Sequence, residues 1–412
     1  MLESPAAAQR RHAGKSLKKT KAAAGTARTP TEKMDATMKK GIALPAPCST
    51  RERLICQIIE VVETEFGIGF VSRIEQLYGG YTNLSFSVST YKDGRTHKIF
   101  FRKYWKGVPT NTIEFEHALL DHVIGRGARS VAGLIRSRDG RGYVRRVELV
   151  DGKEQEYYFA AFQFIEGCDK YSWTRNDLND AECASAGGVL AELHNASSDF
   201  SAGALALPRE PVGRILSKLA GTFGACAAVP DGKLLRYFLQ NLPALLCVTQ
   251  RCEAALSLAT NIPSIGIHGD FHPGNQKYFA DRVVGMFDFD RANIDLRIFD
   301  VAMAIIYFCT IWGGASDGQM RLGKLATFLK AYQLRTGAAP LGAMSPAELR
   351  HFPDMLAAAN LTLVKWVTVD NFFSNGSTCD EEEYLSYLRH HIRLMRWIEG
   401  RQKEISQALK AL

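Results

Sequence analysis

Between Ile267 and Tyr307 the chain reads IHGDFHPGNQKYFADRVVGMFDFDRANIDLRIFDVAMAIIY, an order of residues that few folds can accommodate. A His-x-Asp turn (His268, Asp270) precedes an amide five residues beyond that aspartate (Asn275), and a second aspartate, Asp288, closes an apolar run. Tyr278 and Phe279 form one short apolar stretch, and Val283, Val284, Met286 and Phe287 form another; the Ala280-Asp281-Arg282 turn between them predicts a hairpin. One arm starts just after Asn275 and the other ends at Asp288, so pairing would bring those two side chains together. Asp270 then sits in the loop before the first arm.

Two carboxylates and a neutral amide in that order suit phosphoryl transfer. One carboxylate orients the attacking hydroxyl or takes its proton, while the amide oxygen and the other carboxylate hold Mg²⁺ on the phosphates of ATP. Hard oxygen donors fit that ion, and no Cys or His cluster is required. The nine cysteines are scattered, odd in number and free of any C-x-x-C pair, as expected of a reduced, cytoplasmic protein.

HGDFHPGN followed by FDFD resembles the phosphotransferase family that holds aminoglycoside kinases, choline and ethanolamine kinases and type II homoserine kinases. The resemblance implies an α+β, protein-kinase-like bilobal fold: a small antiparallel-sheet N-lobe and a larger, mostly helical C-lobe. By position it implies Asp270 as the catalytic aspartate and Asn275 and Asp288 as metal ligands, with His268 and Asp300 supporting the catalytic loop. A lone His-x-Asp arises often by chance. The ordered set of Asp270, Asn275, Asp288 and Asp300 does not.

The first forty residues carry ten Lys or Arg against three acidic residues, whereas the rest of the chain is nearly balanced, at 41 basic against 40 acidic. That start is rich in Ala, Lys, Thr and Gly with almost no large apolar residue before Met34, so it is expected to be a disordered basic tail. A nucleic-acid contact would belong to this tail alone. No apolar run of signal-peptide length follows the charges, and no stretch nears eighteen apolar residues, which argues against secretion and against a membrane span. The expected division is a tail over 1–45, an N-lobe over 46–166 and a C-lobe over 167–412.

In the N-lobe, Leu54, Ile55, Ile58, Ile59 and Val62 recur at helical spacing. Val71 to Leu77, Leu84 to Tyr91 and His97 to Tyr104 read as strands. Gly79, Gly80, Tyr81, Thr82 and Asn83 lie between the first two, where a kinase lobe folds a turn over the nucleotide phosphates. The third strand should supply a cation for those phosphates. Alternation sends Arg102 and Lys103 to opposite faces, so one of them can serve. Kinase chemistry favours Lys103; the family register, with Tyr104 two residues on, favours Arg102. A helix is expected from Thr110, capped by Thr110 or Asn111, with Glu116 pairing with the strand cation and Glu114 in reserve. Val131 to Leu134, Tyr143 to Leu149 and Tyr157 to Phe164 would complete the sheet. The resemblance makes Phe164 and Ile165 the adenine-binding hinge.

Eleven residues separate Asp288 from Asp300, too few for the peptide platform of a protein kinase, so a small-molecule hydroxyl acceptor follows. RANIDLRIFDVAMAI resembles the type II homoserine kinases, while HGDFHPGN is closer to aminoglycoside and sugar kinases. Candidate acceptor contacts are Tyr171, Trp173, Asp177, Asp180, Trp312, Trp366, Asp370, Asn371 and the acidic run Asp380 to Glu383. An acidic cluster would suit a polyamine such as an aminoglycoside, and an aromatic set a choline-like cation. The chain therefore reads as an ATP- and Mg²⁺-dependent kinase of a small hydroxyl compound. The alternative is a nucleotide-binding pseudo-enzyme with a regulatory or partner-binding role.

Overall fold

Two sets of apolar side chains gather into two cores, and the strands and helices sort around them. In the computed structural model, which describes residues 50–77, 83–150, 152–226, 231–375, 379–410 and 412, the smaller core joins the first helix to a sheet. Helix α1 (Thr50–Glu60) continues into a π-helical turn (Val61–Phe66) and stops at Gly67, whose φ of 63° is left-handed. Ile58, Val61, Val62 and Phe66 pack on Phe86, Val88, Ile99, Phe101 and Phe159 of the sheet. The basic tail lies outside the described residues, as do Gly79, Gly80, Tyr81 and Thr82.

The sheet is antiparallel throughout. Strands β1 (Phe70–Leu77), β2 (Leu84–Lys92), β3 (Arg95–Lys103), β4 (Leu134–Ile135), β5 (Tyr143–Val150) and β6 (Lys153–Gln163) take the order β1-β2-β3-β6-β4, and β5 pairs with β6. Helix α2 (Thr110–Gly125) crosses between β3 and β4 and turns Ile113, Phe115 and Leu119 into the larger core.

Two local expectations need correction. The N-cap of α2 is Pro109, with no side-chain cap, because a proline has no N–H to lose at that position and its fixed φ of −65° leads the chain in. The strand expected over Val131 to Leu134 is a two-residue strand, β4, with Val131 making instead an isolated parallel bridge to Met286.

The C-lobe is a stack of helices around one short sheet pair and one hairpin. Helices α3 (Asp180–Ala196), α4 (Val212–Ala225) and α5 (Lys233–Ser257) precede the strands β7 (Ser264–Ile267), β8 (Gln276–Phe279), β9 (Arg282–Met286) and β10 (Asn293–Leu296). Helices α6 (Arg297–Cys309), α7 (Leu322–Gly337), α8 (Pro346–Lys365), α9 (Glu381–Gly400) and α10 (Gln402–Lys410) follow. Strands β8 and β9 are the hairpin anticipated from the sequence, and β10 pairs with β7 in the register Asn293 to Ile267. The fold is therefore α+β and bilobal. No described helix is long and apolar enough to cross a membrane.

Helix α6 is buried along its whole length, from Arg297 to Cys309. A buried guanidinium needs a partner. Arg297 donates to Glu348 from Nε and Nη2 and to the carbonyls of Gly342 and Ala343, tying α6 to the start of α8. Glu348 at the same time closes a capping box with Ser345, so one carboxylate caps the start of α8 and anchors α6.

Candidate active site

The loop from His268 to Asn275 is held by hydrogen bonds from three directions. Asp300, fully buried on α6, accepts the backbone N–H of His268 (2.9 Å) and of Gly269 (2.9 Å), and a bond links it to His194 Nε2 (3.0 Å). Burial alone would raise the Asp300 carboxyl, but the hydrogen bonds from His194 and the loop amide hold it below its ordinary value. Behind it, His194 Nδ1 meets Tyr332 Oη at 2.7 Å. Gly269, at φ 76°, is required here: a Cβ would stand 2.2 Å from the Arg291 carbonyl oxygen.

His268 has one consistent tautomer. Nε2–H donates to the Phe287 carbonyl (3.2 Å), leaving Nδ1 to accept the Asp270 N–H (3.3 Å). The loop thus fastens to the far end of strand β9. His272 Nδ1 accepts from the Gly274 N–H, and burial lowers its pKa, so this ring stays neutral beside Asp270 at 3.9 Å. Tyr307 of α6 donates to Asp270 Oδ1 at 3.2 Å.

Asn275 and Asp288 close the hairpin at the same end. The Phe287 N–H donates to the Asn275 carbonyl (3.1 Å), and Asn275 Nδ2 donates to the Asp270 carbonyl (3.0 Å), which commits the amide nitrogen and leaves Oδ1 as the accepting atom. Asp288 adopts φ 70° and ψ 61°, a left-handed conformation that aspartate tolerates better than most residues. Burial raises its pKa against the opposing pull of Arg102, and Asp290 two residues on is pushed up to about 6 by burial and by Asp288. Carboxylates crowded into a shielded site in this way favour a bound cation. Among the described residues no three His, Cys, Asp or Glu side chains form a ready-made metal cage.

Arg102 and Lys103 part as the strand pleat requires. Arg102 is buried; Nη1 donates to Glu116 (3.1 Å) and Nη2 to Asp288 (2.8 Å), and although burial works against its charge, Asp288 and Glu116 raise its pKa further. Tyr104 donates to the second oxygen of Glu116 at 2.8 Å. Lys103 turns to the opposite face, 3.2 Å from Gln57 and 3.7 Å from Glu148, with its ammonium over the Tyr157 ring. Lys103 is thereby removed from the set that faces the cleft. The reserve residue Glu114 accepts from Tyr143 instead. Asn83 reaches across the lobes, donating to Asp290 at 3.2 Å while its oxygen accepts the Trp105 N–H.

Two cavities meet here. The larger, about 580 Å³, is lined by Arg102, Glu116, Asn275 and Asp288, and by Phe164 and Ile165 just beyond the end of β6. The smaller, about 400 Å³, contains Asp270 and is walled by α4, β10, α6 and α8. Trp173 and His272 line both.

Of the expected acceptor contacts, Trp173 lines both cavities, Trp366 and Asp370 the smaller, and Tyr171 and Glu383 the larger. Others are engaged elsewhere. Asp177 pairs with Arg321 and Asp180 with Lys324, Trp312 stacks on His390 at 3.4 Å, and Asn371 donates to the Trp366 carbonyl. The acidic run divides: Asp380 caps α9 by accepting from the Glu382 and Glu383 amides and Glu381 accepts from Leu234, while Glu383 lines the larger cavity. Sequence reasoning missed Arg209, Arg291, Asn293, Asp295 and His391 in the smaller cavity. Alternation in β10 could have placed Asn293 and Asp295 on one buried face. Nothing in the sequence ties Arg209, sixty residues before the loop, to this site.

A bilobal, protein-kinase-like fold with this ordered acidic cleft defines a phosphoryl-transfer scaffold. The family model described as phosphotransferase enzyme family matches residues 73–341, and the chain belongs to that family. It is 26% identical over 313 residues to a homoserine kinase of Methylocella silvestris, covering 74% of this chain and 84% of that one. It is 27% identical over 338 residues to a homoserine kinase of Parvibaculum lavamentivorans, covering 81% and 92%. Among solved structures, a microcompartment-associated aminopropanol kinase superposes with a TM-score of 0.62 at 16% identity, covering 87% of this chain and 99% of its own. An amicoumacin kinase in complex with AMP-PNP and Ca²⁺ follows at 0.60 and 13%, covering 86% and 93%. At such identities these structures establish the fold alone.

Proposed function

We propose that this protein is an ATP- and Mg²⁺-dependent kinase that phosphorylates the hydroxyl of a small amino acid-like alcohol of the homoserine kind. The observation that carries the reading is the junction of the two cavities, with Asp270 in one and Asn275, Asp288 and Arg102 in the other. The larger cavity takes the nucleotide: Phe164 and Ile165 flank the adenine, and Arg102 neutralises phosphate charge, positioned by Glu116. Mg²⁺, held by Asn275 and Asp288, supplies further charge neutralisation when bound.

The acceptor lies in the smaller cavity with its hydroxyl toward Asp270. Asp270 orients the hydroxyl oxygen and takes up its proton as the phosphoryl group transfers, and Tyr307 fixes the carboxylate. Trp173 and His272, which line both cavities, wall the passage between them. Most of the acceleration comes from positioning and electrostatics.

The choice of acceptor rests on charge. Arg209 and Arg291 line the smaller cavity, and among the described residues neither guanidinium forms an ion pair; Arg209 makes one long bond, 3.4 Å, to the Asp290 carbonyl. Unpaired guanidiniums favour a carboxylate on the acceptor and disfavour a polyamine. The curated homoserine kinases of the two bacteria support the same reading. Nothing in the geometry favours a pseudo-enzyme.

The test is ADP release from ATP and Mg²⁺ with homoserine, ethanolamine, choline, amino sugars and aminoglycosides, using Asp270→Asn as blank. Homoserine-dependent release is expected, with Asp270→Asn lower by roughly three orders of magnitude or more and AMP-PNP still protecting that variant against thermal unfolding. Undiminished turnover in Asp270→Asn would refute the assignment.

A further inference from the structure

His391 sits on α9 with 1% of its surface exposed, and it lines the same cavity as Asp270. Its tautomer can be read from its neighbours. Asn360 Nδ2 donates to the His391 carbonyl (2.9 Å), so Oδ1 is the Asn360 atom that meets His391 Nδ1 (2.9 Å), and Nδ1 must carry the hydrogen. Nε2 is left as a bare lone pair, buried and without a partner. Burial holds the imidazole pKa well down, so the ring remains an acceptor.

A second acceptor in the same wall is in the same condition. Asn293, 3% exposed on β10, has a buried Oδ1 with no partner and also lines the cavity. A buried acceptor left without a donor is costly, so two in the wall of one cavity call for a donor. Trp173 and Trp366 line the same space, as does Asp370, whose carboxylate is paired with Lys365. Bare lone pairs beside aromatic faces are the chemistry that receives an amine donor.

We propose that the acceptor cavity carries an ammonium subsite in which His391 Nε2, aided by Asn293 Oδ1, accepts hydrogen bonds from a primary amine, so that amino alcohols are selected over their amine-free counterparts. This rests on the assignment of the smaller cavity to the acceptor and names residues that determine specificity there. Arg209 and Arg291 bind the carboxylate end of the acceptor; His391 and Asn293 bind the amine.

The experiment compares homoserine with 4-hydroxybutyrate, which keeps the hydroxyl and carboxylate and lacks the amine. It measures kcat and KM by ADP release, and binding by calorimetry in the presence of AMP-PNP, for wild type, His391→Phe and His391→Gln. Wild type should prefer homoserine by about a hundredfold or more in kcat/KM. In His391→Phe, homoserine should lose about ten- to a hundredfold more than 4-hydroxybutyrate does, chiefly in KM, and His391→Gln, whose amide oxygen can accept, should recover part of it.

Equal losses for both compounds, an unchanged preference in both variants, or a wild type indifferent to the amine would overturn the subsite. If homoserine binds but is not turned over, while its binding still depends on the amine and on His391, the kinase reading falls and the subsite stands. Failure of wild type to bind either compound overturns both. Thermal protection by AMP-PNP checks that each variant is folded, and His391→Gln carries the test if His391→Phe is not.

Discussion

Arg102→Lys should raise the KM for ATP by about tenfold or more, because an ammonium cannot reproduce the fork that spans Glu116 and Asp288. Lys103→Met should leave it within about threefold, since that ammonium lies on the other face among Gln57, Glu148 and Tyr157. The reverse order in an ADP-release assay would reject Arg102 as the phosphate cation. This pair also marks how far the sequence could be read. Alternation required that the two diverge, but which face met the cleft depended on the pairing of β3 with both β2 and β6, a long-range fact absent from the local pattern. Asp295 offers a test by pH. Burial pushes its carboxyl up to about 7, despite amide donors from Val212 (2.7 Å) and Leu296 (2.8 Å). Its folded pKa lies above the unfolded value of about 3.9, so its contribution to stability is complete below pH ~4 and is lost as pH rises through about 7. Asp295→Asn loses one of those two acceptors, so the sign of the effect lies in its pH dependence: its stability relative to wild type should be better at pH 8 than at pH 4.5, as scanning calorimetry across that range would show.

At the scale of the element, the catalytic hairpin was the most legible part. Its turn, its two apolar arms and the approach of Asn275 to Asp288 all follow from local spacing, and β8 and β9 pair as those residues dictate. The acidic run at Asp380 was legible only in part, because carboxyl-bearing residues in a row serve a helix start as readily as a cavity wall; Asp380 and Glu381 face backbone amides, whereas Glu383 lines the larger cavity. Arg297 was not singled out at all, since an arginine at the head of a helix has the look of a surface residue until α8 packs over it. Arg297→Met should cost roughly 3–5 kcal/mol by stranding Glu348 in the interior, and Arg297→Met with Glu348→Leu should recover much of that loss. Urea unfolding of the two variants and of wild type measures the difference; a single variant within about 1 kcal/mol of wild type would show that the pair contributes little.

For the whole molecule, we assign residues 46–166 to the sheet-bearing lobe and 167–412 to the helical lobe, with the substrates meeting at their junction. Residues 1–45 carry most of the net charge of +8 and are assigned no part in turnover. Deleting them should leave kcat and the KM for ATP unchanged within about twofold while abolishing any salt-sensitive retention on an anionic polymer column. A deletion that halts turnover would place the tail in the working enzyme. The bridge from Arg102 in one lobe to Asp288 in the other has a consequence for how this protein responds to its surroundings. With the roles proposed, Mg²⁺ alone meets an aspartate already matched by a guanidinium, and nucleotide alone meets a guanidinium already matched by an aspartate. Mg²⁺ alone would leave Arg102 with Glu116 as its one remaining partner, and nucleotide alone would draw Arg102 from Asp288; both together exchange partners. The cleft then behaves as a coincidence detector written in two side chains, answering more strongly to the two signals at once than to either by itself.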